Sequence, residues 1–297
     1  MKFVVTVAAF LAVMAFNSGL AGADPGPVDA SGRPLIIKEG TVDIGMVETT
    51  PVLFQGRVYR LEAVRADYWD NPTAQSCFRF VDRAAGRTTP PFGWGHVFAS
   101  AFVEGDTVYV SATSSEEGWT GRKVQIFASK DLKTWESWPA LDLEGFGICN
   151  TSICKAENQY VMMFEIHKPV AQAGVAFPAR FATSKDLKHW ELTPPECVYA
   201  KDRYTAPHCL RYLDGYYYDF YLEAHQGYET RVVRSKDLRQ WEPSPLNPVL
   251  RASWDDRIVR NPKLTPTQRR SIATAVDLNN SVSSAEIMGR FRLWKPA

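Results

Sequence analysis

Apolar and polar positions alternate with a period of two over short runs along most of this chain, and Gly, Asn and Asp interrupt the runs. A period of two is the mark of a strand with one buried face. Four segments read as strand, tight turn, strand: residues 51–62, 98–110, 152–165 and 206–223. Further alternating runs, Val124–Ala128, Ala179–Thr183 and Thr230–Arg234, each lead into a near-identical octapeptide. The octapeptides are Ser129-Lys130-Asp131-Leu132-Lys133-Thr134-Trp135-Glu136, Ser184-Lys185-Asp186-Leu187-Lys188-His189-Trp190-Glu191 and Ser235-Lys236-Asp237-Leu238-Arg239-Gln240-Trp241-Glu242. Recurrence at roughly 50 residues marks one supersecondary unit used several times. Ser and Asp fold their side chains onto nearby backbone N–H groups, so S-K-D-L reads as a turn, and these Asp are turn-makers. The Trp that follows begins the next strand and packs between neighbouring sheets. Hairpin, strand, turn and strand make four antiparallel strands, which is one propeller blade.

The units divide the chain into blades at roughly 47–85, 95–140, 148–195 and 204–246, the first without the octapeptide but with Phe78–Asp82 as an outer strand. The pattern then changes. Thr265 reads as a helix N-cap with Pro266 at the first helical position, and the helix runs to about Val276. The residues after it suffice for one or two strands. Either Pro34–Lys38 donates strands to close the ring or the last blade is partial. The expected fold is all-β: a five-bladed β-propeller of four-stranded antiparallel blades, the fifth incomplete, with one short helix near the C-terminus.

The N-terminus adds a location. Lys2, the apolar run Phe3–Phe16 and Ala21-Gly22-Ala23 before Asp24 read as a signal peptide over 1–23, and the run is shorter than the ~20 residues of a membrane span. The expectation is a secreted or periplasmic protein, with a lead-in over 24–46 and the propeller over 47–297. A net charge of +1 gives no reason to expect nucleic acid or a membrane surface as partner. Of the five cysteines, Cys149 and Cys154 straddle a strand start and could pair; scattered buried thiols are the alternative. Nine Trp and twelve Tyr exceed what a core needs, and aromatic faces stack on sugar rings. No phosphate loop, H-E-x-x-H, G-x-S-x-G or C-x-x-C is present, so no cofactor or metal is expected.

A signal peptide, S-K-D-L-x-x-W-E turns and the strand Ala206-Pro207-His208 leading to Gly215-Tyr216-Tyr217-Tyr218 resemble the five-bladed β-propeller glycosidases, glycoside hydrolase family 43 and its invertase-like and agarase-related relatives. The resemblance covers about 45–250. It implies a funnel holding an Asp base at the start of the first inner strand, a second Asp in blade two and a Glu acid in a later blade. Here Thr49-Thr50-Pro51, Ala99-Ser100, Asn150-Thr151 and Thr205 stand at those places, Thr205 where the family's E-x-P-H pattern has its Glu. No carboxylate survives where the family's would fall.

Other acids are therefore candidates. Glu62, Glu165 and Glu223 close the second strand of three blades at what reads as one register, on the face where propeller glycosidases bind sugar. Glycoside hydrolysis needs two carboxyl groups, one raised in pKa as acid and one ionised. The competing role is a strand-end cap or an ion pair with Arg60, Arg65 or Arg231. Glu48, two residues before Thr50, is a further candidate. Asp202 and Arg203 read as an acid and a clamp, or as a surface ion pair. His96 and His208 lie near inner-strand starts, as general acid–base groups or as hydrogen-bonded structural residues. Trp94, between Gly93 and Gly95, reads as a sugar platform or a packing plug, and Asn279-Asn280-Ser281 follows the helix. The expected function is a glycoside hydrolase acting on plant or algal oligosaccharides or polysaccharides, with two alternatives: a non-catalytic carbohydrate-binding propeller, or a truncated inactive homologue.

Overall fold

The computed structural model describes residue 30 and residues 38–82, 84–115, 120–224 and 228–275. Four antiparallel sheets follow one another along the chain. Blade one is β1 (Val47–Phe54), β2 (Arg57–Val64), β3 (Cys77–Asp82) and β4 (Arg87–Thr88); blade two is β5 (His96–Glu104), β6 (Thr107–Ser114), β7 (Lys123–Ser129) and β8 (Glu136–Asp142). Blade three is β9 (Gly147–Ala156), β10 (Gln159–Lys168), β11 (Ala179–Ser184) and β12 (Trp190–Leu192), with β13 (Val198–Tyr199) also on β11 and the short helix α1 (Val170–Ala173) after β10. Blade four is β14 (His208–Leu213), β15 (Tyr216–Ala224), β16 (Tyr228–Ser235) and β17 (Glu242–Pro243), with β18 (Leu250–Arg251) also on β16. Gln55-Gly56 and Asp214-Gly215 turn two of the inner hairpins with both residues at positive φ, as a two-residue loop that matches strand twist requires.

The octapeptide is the same device three times. Ser129 Oγ accepts from the amide of Leu132 at 2.8 Å, and Asp131 Oδ1 accepts from Lys133 and Thr134 at 2.8 Å. Ser184 and Asp186 bind Leu187, Lys188 and His189 in the same way at 2.9 Å, as do Ser235 and Asp237 with Leu238, Arg239 and Gln240. The bonds hold Leu132, Leu187 and Leu238 at φ of 59°, 64° and 63°. A left-handed leucine costs roughly 1–2 kcal/mol, and here each is buried in the core. The tryptophans then fill the spaces between blades. Trp135 stacks on Phe92 at 3.8 Å between blades one and two, and Trp241 on Phe181 at 5.7 Å between blades three and four. Trp138 of blade two and Trp190 both donate to the Leu187 carbonyl, at 2.7 and 3.0 Å, tying one blade's outer strand to the next blade's turn.

The innermost strands β1, β5, β9 and β14 pack side by side around the axis. Cross-blade contacts here are polar: Ser111 Oγ, on β6, lies 2.8 Å from Thr151 Oγ1 on β9, and Ser152 Oγ accepts from the amide of Leu210 at 3.1 Å. Beyond blade four the described residues form no further four-stranded sheet. A 3₁₀ turn (Trp254–Arg257) and α2 (Pro266–Ala273) follow; α2 ends before the expected Val276, and its N-cap is the expected Thr265, which accepts from Gln268. The N-terminal lead-in meets this region. Thr41 bridges Val259 in parallel, its amide donating to Ile258 at 2.7 Å, and Lys38 pairs with the buried Asp256 at 2.7 Å. The expected signal segment, residues 34–37, Asn279–Ser281 and the closing residues Met288–Ala297 lie outside the described residues. Among the described residues no helix is long and apolar enough to cross a membrane. The Cys149–Cys154 pairing is not formed. All five cysteines are buried and free, and these two sit five positions apart on one strand, β9. At about 3.3 Å per residue they are far beyond the ~5.5–6 Å Cα separation of a disulfide.

Because each turn serine satisfies a buried amide, Ser129→Ala, Ser184→Ala and Ser235→Ala are each expected to cost about 1–2 kcal/mol. Trp135→Ala, which empties an interblade space, is expected to cost about 3–5 kcal/mol. Urea unfolding midpoints of the four variants beside wild type check the ranking.

Candidate functional site

Three innermost strands carry an irregularity at nearly the same place. A bulge in β1 holds Glu48 at φ 46°, one in β5 holds Phe98 at 54°, and one in β9 holds Asn150 at 22°. Bulges re-aim side chains, and non-glycine residues in left-handed geometry concentrate at functional sites. Chain enters β14 instead through Pro207. These four residues, with Thr50, Ser100, Thr151 and His208, line a central cavity of about 30 Å³, room for one or two waters. The positions that the sequence left without carboxylates are thus the hydroxyl-rich floor of the axis.

The three second-strand glutamates do not share a register. The turn serines and the equivalent Asp82 pair with Tyr59, Tyr160 and Tyr217 on the second strands. Glu165 lies five residues past Tyr160 and pairs with Ala179; Glu223 lies six past Tyr217 and pairs with Glu229; Glu62 lies three past Tyr59 and pairs with Arg79. One residue of slip turns a side chain to the opposite face, so Glu165 and Glu223 point to opposite faces. Glu62 is 1% exposed, held by Arg60 and by Arg79 Nε at 2.8 Å. Glu223 accepts from Arg203 Nε at 3.3 Å and lies 4.0 Å from Arg231. Both occupy the ion-pair role weighed for them from the sequence.

Glu165 differs. It is fully buried and takes no Lys or Arg partner among the described residues. Oε2 accepts from Asn150 Nδ2 at 2.7 Å, and Oε1 accepts from the backbone amide of His208 at 2.8 Å. Burial pushes its carboxyl up to about 7, against the pull of His208 and the Asn150 bond. Glu48 is pushed up to about 8, by burial and then by the charge of Glu165, with Arg65 opposing. The two carboxyls therefore form a coupled pair that keeps a proton at neutral pH. Glu48 lines the cavity; Glu165 backs it.

Behind the pair, the buried His208 ring lies between two acceptors, Nδ1 2.8 Å from Asp219 Oδ2 and Nε2 3.0 Å from Thr205 Oγ1. Burial opposes charging the ring, but Asp219 and Glu165 outweigh it and raise its pKa. His208 is thus next to the pair, as its position suggested. His96 is not: its Nδ1 lies 2.9 Å from the Trp94 carbonyl and its ring meets Phe127 edge-on. Trp94 is exposed just before β5, between Gly93 and Gly95 at positive φ, and a Cβ on Gly93 would strike the Phe78 ring. Asp202 and Arg203 pair at 2.8 Å, and Arg203 also donates to the Tyr199 hydroxyl at 2.9 Å. Asp219 and Asn150 were not read from the sequence as site residues. The available signal was a lone acid amid the aromatic run Tyr216–Leu222. Among the described residues no group of His, Cys, Asp and Glu is placed to hold a metal.

No family model matches the chain, and no curated protein matches it in sequence. Solved structures match its fold. An α-L-arabinofuranosidase from Fusarium graminearum, solved with an iminosugar inhibitor, aligns with a TM-score of 0.50 at 14% identity, over 67% of this chain and 66% of that one. A GH32 β-fructofuranosidase from Bombyx mori aligns with a TM-score of 0.50 at 12% identity, over 67% and 48%. A GH43 protein from Bacillus licheniformis gives 0.49 at 15% identity, over 69% and 42%. The fold is that of the propeller glycosidases. The chain spans just under two thirds of the first of these proteins and less than half of the other two, and identities of this order establish the fold alone.

Glu48 and Glu165 each have a folded-state pKa above their unfolded value of 4.5. Their contribution to stability is complete below about pH 4.5 and is lost as pH rises through 7 to 8, because the folded state binds more protons in that window. His208, raised as well, acts in the same direction. Wild type is therefore expected to lose stability from pH 5 to pH 8. Glu165→Gln should flatten that slope by up to about 3 kcal/mol. Urea unfolding of both proteins at the two pH values measures it.

Proposed function

We propose that this protein is an exported glycoside hydrolase-like protein acting on plant or algal oligosaccharides, with Glu48 as proton donor, its pKa raised by burial and then by the neighbouring Glu165. The observation that carries the reading is the coupled pair at the axis: a carboxyl facing the cavity, pushed up to about 8, with a second carboxyl, without a Lys or Arg partner among the described residues, buried behind it. A carboxylic acid that keeps its proton at neutral pH is what protonation of a glycosidic oxygen requires. The amide of His208 and Asn150 hold Glu165 in place, and His208 is itself fixed by Asp219. The fold shared with propeller glycosidases supports a carbohydrate as ligand.

A second reading is a propeller that binds carbohydrate without cleaving it. It is favoured by Thr50, Ser100 and Thr151 on the cavity floor and by the burial of Glu165, which leave one carboxyl of the pair facing the cavity.

Hydrolysis of a panel of aryl glycosides and plant and algal oligosaccharides separates the two. Turnover by wild type is expected, with Glu48→Gln lowering kcat/KM about 10²- to 10⁴-fold. Glu165→Gln removes the charge that raises Glu48, so the fall of activity at high pH should begin at a lower pH. Glu62→Gln and Glu223→Gln should leave the pH profile in place. Binding without turnover across the panel would establish the second reading.

A further inference from the structure

Tyr204 immediately precedes Thr205, whose Oγ1 lies 3.0 Å from His208 Nε2, and the amide of the same His208 holds Glu165. Its ring is fixed from two sides. Phe177 meets it edge-on at 5.6 Å and 87°, and Tyr228 at 6.2 Å and 62°. Phe177 is held at φ 97°, a conformation that a phenylalanine adopts only under constraint. The loop before it is just as tightly placed: Gly174, at φ 63°, lies so close to the Lys201 carbonyl that a Cβ there would sit 2.3 Å from the oxygen. The loop between β10 and β11 and the segment that leads into blade four are thus pinned together, and the ring of Tyr204 meets Phe177 of the first and Tyr228 at the start of β16.

The ring is fixed, yet its surface is not covered. Tyr204 is 37% exposed, and its hydroxyl makes no hydrogen bond among the described residues. A half-exposed tyrosine whose body is locked and whose hydroxyl is open is arranged to meet a ligand that has both an apolar face and hydroxyls. Burial, then Tyr228, and then Glu165, Cys149 and Glu48 push its phenol up to about 12. It is therefore a proton-bearing donor throughout the neutral range.

We propose that Tyr204 is a substrate-binding residue, with its phenol donating a hydrogen bond to a hydroxyl of a sugar ring seated beside Glu48 and the Phe177–Tyr204–Tyr228 wall packing against that ring's apolar face. The proposal rests on the carbohydrate reading of the preceding section. It assigns the mouth between blades three and four, rather than the Trp94 loop of blade two, as the place where the sugar next to the reacting bond is held.

The test uses the full chain and four proteins: wild type, Tyr204→Phe, Tyr204→Ala and Trp94→Ala. Each is assayed for turnover of the aryl glycoside and oligosaccharide panel and, independently, for binding of the same unmodified oligosaccharides by calorimetry. Removing one uncharged donor should lower kcat/KM, or affinity where nothing is cleaved, about 5- to 10-fold in Tyr204→Phe. Tyr204→Ala, which also removes the wall, should lower it by a further tenfold or more, and Trp94→Ala should leave it within twofold. Unfolding midpoints of wild type and Tyr204→Phe should coincide, since the lost hydroxyl has no hydrogen-bond partner among the described residues. If wild type acts on a sugar and Tyr204→Phe equals it, the proposal falls while the glycosidase reading stands. If wild type binds sugar without cleaving it and Tyr204→Phe binds more weakly, the proposal stands and the hydrolase reading falls. If wild type neither cleaves nor binds any sugar of the panel, both fall.

Discussion

Each repeated turn forces a bulky apolar residue into a conformation it disfavours, and the architecture follows from how that is offset. A serine hydroxyl and an aspartate carboxylate together take up the amides around Leu132, and again around Leu187 and Leu238. The leucine is thereby driven into the core, its carbonyl is presented outward, and the tryptophan three residues later is aimed into the space between blades. Where that carbonyl collects two indole donors, as at Leu187, one turn fastens two sheets. Blade one has no octapeptide. Its Asp82 accepts from the amides of Ala84 and Ala85 at 3.0 Å, so a single carboxylate serves at this turn.

Ordering the blades from outside leaves the axis to be settled by what crowds into it. Serines and threonines occupy the floor and bond across blades, and the inner strands bulge where they open toward the mouth. Within that frame charge is rare and consequential. Arginines neutralise Glu62 and Glu223, whereas Glu165 has a carboxamide and a backbone amide for company. Its proton affinity, and through it that of Glu48, is set by burial. The His208–Asp219 contact lies one bond further out, where Asp219 and Glu165 raise the proton affinity of the ring against its burial.

Much of the fold was legible because its determinants are local. Hairpin turns, the S-K-D-L turns and the Thr265 cap each act within a few residues, and each sits where the sequence placed it. The site was less legible because its determinants are counts and crossings. Glu165 and Glu223 look alike as the last acid of a strand, yet one residue of offset from the turn separates their faces. A second partner of Glu62, Arg79, lies on the next strand, beyond the local window in which Arg60 was visible. Glu48 was weighed as a lesser candidate because nothing in its neighbours announces the bulge that aims it. The incomplete fifth blade was expected from the residues left after blade four, and among the described residues these form a bridge to Thr41 and two short helical segments.

That bridge has a kinetic meaning. Lys38 and Asp256 are separated by 218 residues, and Thr41 and Val259 by a similar stretch. The entropy of joining such distant points grows only as the logarithm of their separation, about 0.6 kcal/mol for each doubling, so the span itself adds little to the thermodynamic cost. Time is another matter. During synthesis the segment carrying Thr41 emerges first and its partner after all four blades. Until then the bridge cannot form, and the residues around Thr41 gain their partner only once nearly the last described ones arrive.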